Sequence, residues 1–304
     1  MSPQQSQAGI ALISVLWVIA LLTILASGLS SSVRSDTRLS QNFLSEAQAR
    51  HAAEGGINIA ILALLGGPIS GNWQADGSIR EVVVGNAGVR ITMISESGKI
   101  DLNVAPSELL DGLLATTNLD NLDRRALVDA ILDWRDADDL QRLFGAEDDN
   151  YRAAGKAYGA KDLPFDSVDE LQLVLGMSNE IFQQVRSALT VHSRQPGVNL
   201  STASRRVLLA VPGTTVEQVD QFITLREEHR LNNLPPPQPP HTNKRYRIRN
   251  NRIFNIHAEA RMPDGILAHI TATVELRRTK QAPYTVLHWQ RIGPELFNQE
   301  YSGS

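Results

Sequence analysis

The densest set of residues able to do chemistry is DWRDADDLQRLFGAEDDNY, Asp133 to Tyr151, where seven side chains are carboxylates: Asp133, Asp136, Asp138, Asp139, Glu147, Asp148 and Asp149. Hard oxygen donors in two short clusters, with no His or Cys among them, are what Ca²⁺ accepts with its 6–8 oxygen ligands, whereas Mg²⁺ asks for fewer and stricter ones. The run is not an EF-hand. With Asp136 as position 1, Asp138 falls at 3 and Glu147 at 12, but Leu140 and Gln141 stand where a carboxylate and a glycine are required. On spacing alone, a cation site and a solvated acidic loop are both open readings. Other candidates are weaker. His257 and His269 lie near strand-like segments and read as structural. The basic stretch KRYRIRNNR, Lys244 to Arg252, reads as a charged strand edge that opposes aggregation. No G-x-S-x-G, P-loop, Rossmann fingerprint or H-E-x-x-H occurs, no nucleophile meets a base, and catalysis is not expected. With no cysteine in the chain, disulfides, thiolate metal sites and cysteine nucleophiles are excluded.

Something must position that acidic run, and 304 residues with 42% hydrophobic and 20% charged side chains are enough for about two domains with real cores. The net charge of -4 is uneven: Lys99 to Arg230 holds 14 basic against 22 acidic residues, so the middle of the chain is acidic. Across that middle, amphipathic helices are predicted at Pro106–Leu114, Arg124–Asp133, Val168–Leu175, Glu180–Leu189 and Val216–Arg230, with almost no strand pattern. Strands are predicted on either side of it. Ile79–Val84 and Val89–Glu96 form a hairpin; Arg247–Ala260, Ile266–Leu276 and Tyr284–Arg291 follow much later, with Pro263-Asp264-Gly265 as a turn. The tract LPPPQPP, Leu234 to Pro240, is a stiff return. A helical insertion within one discontinuous α/β body is the organisation this implies. Inside the insertion, IDLNVAPSELLDGLL from Ile100 echoes VNLSTASRRVLLAVPG from Val198, so one supersecondary unit occurs twice. Leu209–Ile223 and LVLGMSNEIFQQV from Leu173 resemble helix-hairpin-helix units.

At the amino terminus, no charged residue precedes Arg34, and Gly9 to Leu29 is an apolar run of 21 residues, long enough to cross a bilayer. A cleaved secretory signal would need a basic n-region and a shorter apolar stretch. Leu39, Phe43, Ala47, Ile57, Ile61 and Leu65 continue the helical period up to Gly66-Gly67-Pro68, which ends it. The predicted helix runs from Ile10 to Leu65.

A polar leader ending in glycine, then an apolar helix that continues as an amphipathic one, resembles the class III signal of type IV pilins and pseudopilins. That resemblance places the prepilin-peptidase cut between Gly9 and Ile10, with methylation of the new amine. The chain departs from the family pattern in lacking a Lys or Arg before the glycine, and in having Ser14 where the fifth mature residue is usually Glu. An intramembrane carboxylate costs about 2.5–3.5 kcal/mol unless it meets a partner, and a leading subunit has no partner ahead, so Ser14 suits the first subunit of a filament. LxDWxDxDD, GAEDxxY and PFDSVDELQLVxGM are similar to the K-type minor pseudopilin of type II secretion. That family implies calcium held by Asp136, Asp138, Asp139, Glu147, Asp148 and Asp149. It also implies an α+β pseudopilin fold in which a long transmembrane and amphipathic helix packs on an antiparallel sheet carrying a large all-α insertion. The divisions are then 1–9 leader, 10–98 helix and first strands, 99–231 insertion, and 232–304 return and last strands. The expected place is the inner membrane, single-pass, with the bulk of the chain in the periplasm. The expected partners are the I- and J-type minor pseudopilins, the major pseudopilin and the inner-membrane platform, with the exported protein and the secretin beyond them; the expected role is to form the pseudopilus tip. The rival reading is a membrane-tethered DNA-binding protein built on the helix-hairpin-helix units. A segment at -8 repels phosphate, so nucleic acid is not expected.

Overall fold

The computed structural model describes residues 8–66, 73, 75–232, 234–239, 246, 252–277, 279 and 281–292. Within the first helix it places side chains at 13–24 and from 39 onward. That helix, α1, runs unbroken over Ala8–Leu64. Its last third is an alanine-rich face, Ala49, Ala52, Ala53, Ile57, Ala60 and Ile61, all buried. Side chains this small let the helix lie close to a sheet. At Gly56 a Cβ would stand 2.7 Å from Val89 Cγ1 and 3.2 Å from Ala258 Cβ, so the approach there needs glycine.

The sheet beneath α1 has five strands: β1 (Asp76–Val84), β2 (Ala87–Ser95), then, after a long excursion, β5 (Ile253–Arg261), β6 (Leu267–Leu276) and β7 (Tyr284–Ile292). Every pairing in it is antiparallel, in the order β1-β2-β5-β6-β7. The β2–β5 pairing, Gly88 opposite Arg261 through Ser95 opposite Phe254, joins the two strand groups into one body. Strand alternation splits the residues of β5 and β6. Ile256, Ala258, Ala260, Ile270, Ala272 and Val274 face α1 as one apolar cluster. The opposite face carries His257, Glu259, His269, Thr271 and Thr273, buried polar residues that alternation predicts to be wet. The strand expected from Arg247 begins at Ile253, and residues 247–251 lie outside those described.

Among the described residues no helix is long and apolar enough to cross a membrane. Of the apolar run, side chains are described at Ile13 to Ile24. Those placed are exposed, Trp17 at 74%.

Between β2 and β5 lies a second apolar cluster of its own, built from residues between Ile100 and Phe222 and closed by Tyr246. Its elements are β3 (Ile100–Asp101), α2 (Ser107–Leu114), α3 (Asn121–Arg135), α4 (Asp148–Ala153), α5 (Asn179–Val185), β4 (Leu189–Thr190), α6 (Arg205–Ala210) and α7 (Val216–Leu231). The expectation of an all-α insertion is corrected by β3 and β4, which pair in parallel, Ile100 with Leu189 and Asp101 with Thr190. Two residues per strand are too few to show a period. The expected helix at Val168–Leu175 is 3₁₀ over Val168–Leu173, and the one at Glu180–Leu189 ends at Val185 before a 3₁₀ turn.

The echoed sequence is an echoed structure. Asp101 Oδ1 accepts the Asn103 N–H at 2.9 Å, and Asn199 Oδ1 accepts the Ser201 N–H at 3.1 Å. The Ala105 and Ala203 amides then donate to the Asp101 and Asn199 carbonyls at 2.9 and 3.0 Å. Each turn leads into a helix, α2 and α6. Each is also clamped by an arginine from the following helix: Arg135 donates to Leu102 O and Ala105 O, and Arg226 to Ser201 O and Ala203 O. Burial lowers the pKa of both guanidinium groups. The two units meet where α2 crosses α6.

Candidate metal centre

The acidic run becomes the end of α3, an irregular loop and the start of α4. Its floor is aromatic. Trp134 lies 5.7 Å from Tyr151 and 6.2 Å from Phe165 between ring centres, and Tyr158 closes on both Trp134 and Tyr151. Trp134 Nε1 donates to Glu170 Oε1 at 3.0 Å, and Tyr151 Oη accepts the Leu175 N–H at 3.0 Å. Burial pushes the Tyr151 hydroxyl up to about 12. This rigid floor holds Asp133 and α4 at fixed height.

Asp133 is fully buried and holds the loop from inside, accepting from the Arg142 backbone at 3.3 Å and from its guanidinium. Arg142 bridges Asp133 and Asp136. Burial lowers its pKa, but the two carboxylates outweigh that and hold it above the usual value. Asp136 gives one oxygen to Arg142, while its Oδ1 is buried without a hydrogen-bond partner. Asp138 is exposed and caps the Leu140 N–H at 3.0 Å. Asp139 is exposed. Glu147, 8% exposed, donates its backbone N–H to Asn150 Oδ1 at 3.0 Å, and its Oε1 is buried without a partner. Burial first, then the charges of Asp133, Asp162, Asp136 and Asp139, push Glu147 up to about 7. Asp148 lies against Gly159, where a side chain would have to displace its carboxylate. Asp149 turns outward onto Arg152 at the surface.

One residue that spacing did not single out joins the group. Asp162, beyond α4, has its backbone at φ 55°, a left-handed conformation uncommon for a residue with a side chain. Its Oδ1 is buried without a hydrogen-bond partner, and burial together with Asp139, Asp148, Asp136 and Asp138 raises its pKa. Mutual repulsion thus ties Asp136, Asp138, Asp139, Glu147, Asp148 and Asp162 into one electrostatic cluster. Asp149 is not drawn into it. Among the described residues, no three acidic or histidine side chains close into a coordination group. The donor chemistry still suits a hard cation: three buried, unpartnered carboxylate oxygens on Asp136, Glu147 and Asp162, with no soft ligand near.

The other candidates fall into structural roles. His257 Nδ1 lies 3.1 Å from Thr271 Oγ1, and the His257 and His269 rings stack 5.9 Å apart. In the α6–α7 pair, likened from sequence to a helix-hairpin-helix, Arg205 pairs with Asp220 at 2.7 Å, Arg230 with Glu227, and Arg226 with backbone carbonyls. Its arginines are spent within the fold. Gly9 and Ile10 lie in α1 with side chains outside those described, and Ser14 is exposed on the same helix.

Comparison with known proteins agrees with this architecture. The family model for type II secretion system protein K matches residues 91–194, from within β2 through both short parallel strands and the acidic loop. Type II secretion system protein K of Pseudomonas aeruginosa PAO1 is 31% identical over 247 residues, covering 71% of this chain and 73% of that protein. The Klebsiella pneumoniae protein of the same description is 28% identical over 228 residues, 67% of this chain and 69% of the relative. A chain in the crystal structure of the GspK-GspI-GspJ complex of enterotoxigenic Escherichia coli superposes with a TM-score of 0.59 at 16% identity, over 84% of this chain and 99% of that one, a likeness of fold. The chain belongs to the type II secretion system protein K family and is a minor pseudopilin of that system.

Proposed function

We propose that this pseudopilin forms the tip of the pseudopilus, anchored in the inner membrane by the first half of α1, with its insertion held in shape by calcium in the periplasm. The observation that carries the calcium reading is the set of buried, unpartnered oxygens on Asp136, Glu147 and Asp162. Asp136, Glu147 and Asp162 would hold the ion, with Asp138, Asp139 and Asp148 completing its shell. A bound calcium ion supplies positive charge that offsets the repulsion among these carboxylates. The protein's own part is to hold them: Trp134 and Tyr151 fix the two ends of the loop, and Arg142 ties Asp136 to Asp133.

The tip assignment rests on Ser14, whose neutral side chain needs no amine from a subunit ahead. The Escherichia coli chain of like fold was crystallised in a complex of GspK with GspI and GspJ, which supports minor pseudopilins of the I and J types as the partners here. The major pseudopilin and the inner-membrane platform follow from a filament position, and the exported protein and the secretin from a tip. The role is one of assembly, not catalysis. Two measurements test the proposal. Intact mass of the membrane-extracted chain should show a mature form beginning at Ile10 and carrying one methyl group. Thermal melting of the full chain in detergent should move up in millimolar calcium relative to chelator, with magnesium a poor substitute. An uncut leader, or equal melting in calcium and chelator, would refute the corresponding half.

A further inference from the structure

The loop between α3 and α4 is built inside out. Its backbone is pinned by carboxylates: Asp138 accepts from Leu140 N at 3.0 Å, Asp133 from Arg142 N at 3.3 Å, and Asp129 from Phe144 N at 3.2 Å. Gln141 Nε2 donates to Gly145 O at 2.8 Å, and Arg142 turns in to Asp133 and Asp136. The polar residues of LQRLF therefore serve the loop itself, and the apolar ones face water: Leu140 is 77% exposed, Leu143 85% and Phe144 39%. Single exposed leucines need no explanation, but three large apolar side chains within five residues, held outward by a polar scaffold, form a patch of the kind that marks an interaction site.

We propose that Leu140, Leu143 and Phe144 are a docking knob for another protein, whose surface offers an apolar pocket rimmed by Lys and Arg. Charge complementarity selects that occupant. Asp138 and Asp139 stand exposed beside the knob, and residues 136–149 carry a net charge of -5, which one divalent cation would leave at -3. A basic rim is attracted by such a loop, while an anionic lipid surface is repelled. The knob is distinct from the metal centre, since none of its three side chains has a donor atom.

The test uses the full chain in cells that make the whole secretion apparatus, with photoreactive benzoylphenylalanine in place of Leu143 or, as a control, of Leu231 on α7, 68% exposed. The expected result is one discrete protein adduct at 143, at least about tenfold stronger than at 231, falling several-fold between about 50 and 500 mM salt. The cross-linked partner peptide should combine apolar residues with Lys or Arg. Adducts only with lipid, equal yields at both positions, salt-independent yield, or an acidic partner peptide would each overturn the proposal. L140S/L143S touches no carboxylate, so it should keep the melting temperature and its calcium response while losing most secretion and, when benzoylphenylalanine is placed at position 144, the adduct seen there in the parent chain. Normal secretion by that variant would also overturn the proposal, and a missing calcium response in the parent chain would count against the metal reading alone.

Discussion

Two carboxylates with a buried oxygen set the behaviour of single residues. Asp162 and Glu147 each present an unpartnered oxygen, so Asp162→Asn and Glu147→Gln should each remove most of the calcium-induced stabilisation, which is about 2.7 kcal/mol for a site at a hundredfold excess over Kd. Asp149→Asn should leave it intact, because that side chain is turned onto Arg152. Melting in calcium and in chelator, with Trp134 emission as a second readout, decides this. His257 gives the fold a pH dependence. Burial first, then the neighbouring His269, lower its pKa from 6.5 to about 4, so the folded chain binds fewer protons there than the unfolded chain. Its stabilising effect is whole above pH 6.5 and is lost as pH falls toward 4, about 3 kcal/mol in all. The other charged groups on that face include Glu81, Arg90, Glu259, Arg261 and Glu275. Urea midpoints at pH 7.5, 5.5 and 4 should fall less in His257→Gln than in the parent chain. Parallel slopes would remove His257 as the cause.

At the scale of elements, the insertion is held where its two repeated units meet. A Cβ on Gly112 would overlap the Ala210 carbonyl oxygen, so α2 and α6 touch backbone to backbone. Gly112→Ala gains about 1 kcal/mol of helix propensity but forces the helices apart, and a net loss of about 1–3 kcal/mol is expected. Stability measured by denaturant titration checks it, and an unchanged or stabilised variant would mean the interface yields freely. Arg135 and Arg226, clamping equivalent carbonyls, explain how two turns sharing few residue identities keep one conformation. Each clamp replaces water on buried carbonyls that no helix or strand satisfies.

For the whole molecule, the proposed maturation and tip role both rest on α1, whose far end packs on the sheet. Gly9→Ala should block maturation, because the resemblance puts the scissile bond after Gly9 in a site that admits little beyond a hydrogen. Mass spectrometry of the variant should find only the uncut chain, and a mature form beginning at Ile10 would refute the leader assignment. Ser14→Glu should impair secretion, since its carboxylate would enter the bilayer with no amine ahead of it, at about 2.5–3.5 kcal/mol. A variant that secretes as well as the parent would show that the chain does not lead the filament.

Periodicity alone determined α1, the β1–β2 hairpin, β6, β7, α2, α3 and α7, because in each the apolar spacing repeats often enough to outweigh local noise. The echo between Ile100 and Val198 was legible too, since an Asx turn is written in a few adjacent residues. The acidic run announced itself by charge. Tertiary structure decided the rest. The parallel pairing of β3 and β4 joins residues some ninety positions apart, and two-residue strands carry no period. The polar face of β5 and β6 is buried although its alternation reads as wet. Asp162 enters the cluster and Asp149 leaves it because burial and neighbouring charge, the quantities that distinguish them, belong to the fold and not to the spacing of carboxylates along the chain.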